Sequence, residues 1–160
     1  MSIIVNTSRL ISEWLATTKP EEEINVQRLS AILAIKLNNY GVIFSVLIFG
    51  YLTNYFWSSC IALVSFIVIR IQTGGFHLKN LDHCFLISLL MLISFSMVEL
   101  NIWFIVLLNS ASIIVVMKYS QRYKFLPCLV ISLNFIGLFP AASLSFMGQA
   151  LTLLINRRWR

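Results

Sequence analysis

The chain has 160 residues, 59% of them hydrophobic and 11% charged, with a mean hydropathy of +0.86 and a formal net charge of +6. A soluble domain of this length has too much surface to be so apolar, so lipid must be the solvent for much of the chain. The positive charge does not point to a nucleic-acid partner, because the basic residues sit at the ends of apolar tracts, where membrane orientation accounts for them.

One membrane-embedded domain over residues 1–160 is expected, with no room for a second folded domain. Three cysteines make no disulfide framework, and Cys60 and Cys128 lie inside apolar tracts, where a cysteine usually serves as a small packing residue. The start of the chain lacks the basic residues, compact apolar core and small-residue cleavage site of a removable signal.

Residues 3–15 read as an amphipathic helix, within an interfacial segment covering 1–19. Ile3, Ile4, Leu10, Ile11, Trp14 and Leu15 fall on one face; Asn6, Ser8, Arg9, Ser12 and Glu13 fall opposite. Such a helix suits the membrane surface, or the surface of a partner chain or other helices. A new helix is expected at Thr18, with Thr18 as its cap, Pro20 in its first turn and Glu21 closing a capping box. Glu21, Glu22 and Glu23 then complement the helix dipole, and Arg28 and Lys36 reach back to the surface as the helix enters the membrane.

Three apolar tracts follow, at 41–69, 83–117 and 125–156. Each is too long for a single span of about 20 residues and reads as a hairpin of two helices. The breaks are expected at Gly50 to Asn54, at Glu99 to Asn101 and at Gly137 to Pro140. Every Lys and Arg lies outside the tracts, and three hairpins put all four basic regions on one side, the cytoplasmic one. A four-span arrangement with one long final helix would place either Lys118, Arg122 and Lys124 or Arg157, Arg158 and Arg160 outside. The expected fold is therefore an all-α integral membrane protein: an interfacial helix plus about six transmembrane helices in three hairpins, with both ends cytoplasmic. Tyr51, Tyr55, Trp57 and Trp103 suit an aromatic belt near the outer turns. Ser94, Ser96, Asn109, Ser110, Ser112 and Asn134 are read as contacts between helices.

The one polar, glycine-containing loop between long apolar tracts runs from Arg70 to Cys84 and holds both histidines, His77 and His83. Gly74 and Gly75 give a backbone that can take positive φ and approach another chain closely. On one straight helix, His77 and Cys84 would share a face but lie about 10.5 Å apart along the axis, too far for a hydrogen bond. The chain must therefore bend between them. Asn80 or Asp82 can cap a helix beginning at 81–83, which places Cys84 in its first turn. A helix N-terminus, an imidazolium and basic Arg70 or Lys79 all favour the thiolate, the form that acts as nucleophile. Free first-turn amides would stabilise an oxyanion. A third, orienting group is open among Asn80, Asp82 and Gln72. His83 points about 100° away from Cys84 and is the weaker base. Arg70 either marks the membrane boundary or also binds an acidic substrate segment. His77, His83 and Cys84 match no zinc pattern, so no metal or cofactor is expected.

The pattern Arg70-x-x-x-Gly74-Gly75-x-His77-x6-Cys84, set between apolar hairpins, resembles the accessory gene regulator B (AgrB) family. The resemblance implies a membrane cysteine endopeptidase that removes the C-terminal tail of a short propeptide and links the new C-terminus to an internal Cys or Ser. The product is a cyclic thiolactone or lactone used as a quorum-sensing autoinducer. It implies Cys84 as nucleophile and His77 as base; the chemistry of the loop itself puts Arg70, Gly74, Gly75, Lys79 and Asp82 in substrate-binding or supporting places. The implied partners are an amphipathic propeptide with an acidic tail, the lipid bilayer and a second copy of the chain. Two other readings stand beside it: a small multi-pass peptide exporter gated by the loop, and a non-catalytic membrane scaffold.

Overall fold

A computed structural model describes residues 2–18, 25–74, 80–120 and 122–158. Among these residues the chain forms seven helices and no strand: α1 (Ile3–Thr18), α2 (Val26–Leu52), α3 (Phe56–Thr73), α4 (Leu81–Met97), α5 (Ile102–Tyr119), α6 (Phe125–Gly137) and α7 (Pro140–Arg158). The all-α expectation holds, and the breaks between α2 and α3, α4 and α5, and α6 and α7 fall at the expected turns. Asn54 takes a φ of 62° in the first of these, a left-handed conformation that asparagine tolerates. Pro140 opens α7, where its missing N–H costs no helical hydrogen bond.

Among the described residues, three helices are long and apolar enough to cross a membrane: α2, α3 and α5. Helix α4 and the stretch Pro140–Ile155 are shorter, and α6 has 13 residues. At 1.5 Å per residue α6 covers about 20 Å of a hydrocarbon core about 30 Å thick.

The chain divides into two compact units. The first comprises the described residues of 1–45 and 77–89, hence α1, the start of α2 and the start of α4. Ala34, Asn38 and Val42 form a buried stripe on α2, spaced four residues apart. Beside it Gly41 lets α4 approach closely: a Cβ there would come within 2.9 Å of the Phe85 ring.

Helix α1 departs from the simple two-faced reading. Ser8 and Ser12 are fully buried, whereas Ile3, Leu10 and Trp14 are exposed. The serines can be buried because each hydroxyl donates to its own helix, Ser8 to the Val5 carbonyl and Ser12 to the Ser8 carbonyl, both at 2.8 Å. Arg9 and Glu13 pair on an exposed face at 3.4 Å. Thr18 ends α1, with its hydroxyl donating back to the Trp14 carbonyl at 2.8 Å. Helix α2 begins at Val26 and is capped by Asn25, whose Oδ1 accepts the Arg28 N–H at 3.0 Å. Pro20, Glu21, Glu22 and Glu23, the rest of the expected helix start, lie outside the described residues.

The second unit comprises the described residues of 46–76 and 90–160 and is built on α3, α5, α6 and α7. Helix α7 packs on α3 and α5, and α6 packs on α5. Ile69, Val116, Ile131, Ala142, Phe146 and Leu153 form the core. Gly50 admits the end of α2 against α3, since a Cβ there would come within 2.7 Å of the Ser59 Cβ. Gly148 does the same for the second half of α4, whose Met91 and Phe95 side chains would lie 2.8 Å from an added Cβ.

Of the polar residues expected between helices, Asn109, Ser112 and Asn134 are buried here. Asn134 donates from Nδ2 to Ser143 Oγ at 2.8 Å and to the Phe139 carbonyl at 3.2 Å, and its Oδ1 accepts the Phe139 N–H at 3.0 Å. Ser110 and Ser94 are instead exposed. Ser110 is turned about 100° from Asn109, off the buried stripe of Ile105, Asn109, Ser112 and Val116. Ser96 is buried but donates to the Ile93 carbonyl of its own helix, at 2.8 Å.

Candidate active site

The polar loop leaves α3 and enters α4, and each end is organised by backbone capping. Arg70 lies in the last turn of α3, where a cation complements the helix dipole, with its guanidinium carbon 5.5 Å from the Phe66 ring centroid. Gly74 ends the helix with a φ of 82°, and its N–H donates to the Arg70 carbonyl at 3.1 Å. A residue with a Cβ is strained at that φ, so the glycine is required by the turn itself. The Gln72 carbonyl accepts the Tyr123 N–H at 3.2 Å, which brings the exposed Arg122 and Lys124 to the same end of the bundle. Thr73 is fully buried; its hydroxyl donates to the Ile69 carbonyl at 2.8 Å and accepts from Gln149 Nε2 at 3.3 Å.

At the other end, Asn80 caps α4. Its Oδ1 accepts the Asp82 N–H at 3.0 Å, and its carbonyl accepts the Cys84 N–H at 3.2 Å. Cys84 therefore sits in the first turn of α4 and is buried, 5% exposed. His83, one residue earlier, is exposed. Two of the first-turn amides are committed to Asn80, leaving those of Leu81 and His83 outside that cap. Gly75, His77 and Lys79 lie outside the described residues.

Asp82 faces elsewhere. Its Oδ1 accepts Ser2 Oγ–H at 2.9 Å and Ile4 N–H at 3.1 Å, and its Oδ2 accepts Ile3 N–H at 2.7 Å. Desolvation acts to raise this carboxyl, but the Ile4 and Ile3 amides, the Ser2 hydroxyl and the charge of His83 together hold it below its ordinary 3.8. Asn80 thus takes the capping role that the sequence left open between Asn80 and Asp82, and Asp82 caps α1. Ser2 is the residue of this arrangement that sequence reading missed. Its signal was slight: a serine directly before an apolar helix.

An all-helical chain with apolar helices of membrane length, carrying a buried cysteine in the capped first turn after its one glycine-containing polar loop, is an integral membrane protein with a thiol at a helix start. The family model for accessory gene regulator B matches residues 8–136, a stretch that includes the whole motif from Arg70 to Cys84, and the chain belongs to that family. Comparison with curated proteins and with solved structures gives no match. Membership implies a role in processing the accessory gene regulator propeptide.

Proposed function

We propose that the protein is a membrane-embedded cysteine endopeptidase that removes the C-terminal tail of a short autoinducer propeptide and promotes its cyclisation for quorum sensing. The observation that carries this reading is Cys84, buried in the Asn80-capped first turn of α4 within the family's matched region. A thiol there meets the positive end of a helix dipole, which favours the thiolate.

In this mechanism the Cys84 thiolate attacks the scissile carbonyl, and the tetrahedral oxyanion collapses as His77 protonates the departing amine of the tail. The acyl group is left on Cys84 as a thioester. A Cys or Ser side chain of the same peptide then attacks the thioester, His77 takes up its proton, and Cys84 leaves as thiolate, giving a thiolactone or lactone. The amides of Leu81 and His83 supply the charge stabilisation that the oxyanion needs. Arg70, Arg122 and Lys124, at one end of the bundle, suit an acidic tail. Gly75 and Lys79 support the loop. The enzyme acts as a homodimer in the cell membrane, with both termini and the loop at the cytoplasmic face.

The test is mass spectrometry of a candidate propeptide incubated with protein in liposomes. Cys84→Ala should abolish both tail release and the acyl-enzyme adduct. His77→Ala should lower the rate about 10²- to 10⁴-fold, and Cys128→Ala should leave it unchanged. Full cleavage by Cys84→Ala would end the protease reading and favour an exporter.

A further inference from the structure

The first four amides of any α-helix lack partners within the helix. In α1 they are shared between two caps. The Val5 N–H donates to Ser2 Oγ at 3.4 Å and the Asn6 N–H to the Ser2 carbonyl at 3.1 Å. The Ile3 and Ile4 amides go to Asp82, as does the Ser2 hydroxyl. A carboxylate 78–80 residues along the chain therefore completes the cap. It belongs to the first turn of α4 as well, so the positive ends of two helices converge on one charge. Cys84 lies two residues further along that same turn.

Helix α1 is a substantial lever for such a joint. It has 16 residues, its Ser8 and Ser12 are fully buried, and Ile3, Leu10 and Trp14 are exposed on another face. Whatever holds α1 in place also holds Asp82, and through Asp82 the turn that carries the thiol.

We propose that Asp82 is a positioning residue that fastens α1 to the first turn of α4, so that the N-terminal helix holds Cys84 in the geometry for attack. This rests on the reading of Cys84 as nucleophile. Asp82 touches neither the peptide nor the reacting atoms in this role. Its loss acts on the rate of the chemical step and leaves peptide binding largely intact.

The experiment uses the full chain in liposomes and two readouts: amide hydrogen exchange of residues 3–6, and kcat and KM on the candidate propeptide. Asp82→Ala should speed exchange of the Ile3 and Ile4 amides at least tenfold and lower kcat at least tenfold, with KM within threefold of wild type. Asp82→Asn, which keeps one acceptor oxygen, should recover part of both. Ile3→Pro provides a second variant should Asp82→Ala fail to fold. It removes one donor to Asp82, and proline suits the first position of a helix; the same two changes should appear, smaller. Unchanged exchange, unchanged kcat, or a loss seen only in KM would each overturn the proposal. Cys84→Ala, run in parallel, reads the other question: if it cleaves like wild type the nucleophile assignment fails, while the exchange data still report on the joint.

Discussion

Two buried asparagines in the second unit give opposite expectations when truncated to alanine. Asn134 and Asn109 are 5% and 0% exposed, so burial alone does not separate them. Hydrogen bonding does. The two Nδ2 hydrogens of Asn134 are best used on Ser143 Oγ and the Phe139 carbonyl, and its Oδ1 takes the Phe139 N–H, so three bonds tie α6 to the start of α7. They also secure Leu138, which takes a φ of 49° between the two helices. Among the described residues, Asn109 has only a 3.4 Å contact from Asn134 to its Oδ1, and its Nδ2 has no partner. Side-chain hydrogen bonds inside membrane proteins average about 0.6 kcal/mol each, and a buried donor stripped of its partner adds about 1–3 kcal/mol. Asn134→Ala should therefore cost roughly 3–5 kcal/mol. Asn109→Ala removes an unsatisfied donor along with one weak contact, and should cost less than about 1 kcal/mol. Reversible unfolding in mixed micelles, followed by loss of helical circular dichroism, measures both values. Equal costs, or a larger one at Asn109, would refute the assignment of the network to Asn134.

Two further predictions concern a contact and a charge. Gly50→Ala should destabilise the α2–α3 hairpin by about 1–3 kcal/mol through overpacking, and adding Ser59→Gly should restore most of the loss. Ser59→Ala should not, because the Cβ of Ser59 is itself within 2.7 Å of the added atom; rescue by that alanine in unfolding measurements would contradict the geometry. The folded state holds the Asp82 carboxyl below 3.8, so its contribution is fully present above that value and lost as pH falls through the lowered one. Exchange protection at Ile3 and Ile4, corrected for intrinsic rates, should stay constant from pH 7 to pH 5 and fall only in stronger acid. A loss of protection already complete at pH 5 would mean that another group controls the joint.

Much of the fold was legible because hydropathy is a local property. A run such as residues 102–117 buries its backbone hydrogen bonds only as a helix, and Gly50 to Asn54, Glu99 to Asn101 and Gly137 to Pro140 interrupt such runs where the turns occur. Cys84 in the first turn of α4 was equally legible, since Asn80 lies four residues before it and caps from within the same stretch. Thr18 is less legible, because a hydroxyl that can cap a following helix can equally bond back to its own, as it does with Trp14.

By itself, then, the amino-acid order determined which stretches become helices, where they break and which loop carries the thiol, for these follow from side chains close together in the chain. Only the tertiary structure decided which polar groups meet. Nothing local distinguishes the serines of α1 that become buried from those exposed elsewhere, or the well-bonded Asn134 from Asn109. Nor does anything near Asp82 reveal that its carboxylate closes a helix beginning about 80 residues earlier. A hydrogen bond needs its partner within about 3 Å, and which partner arrives there is set by how the helices pack.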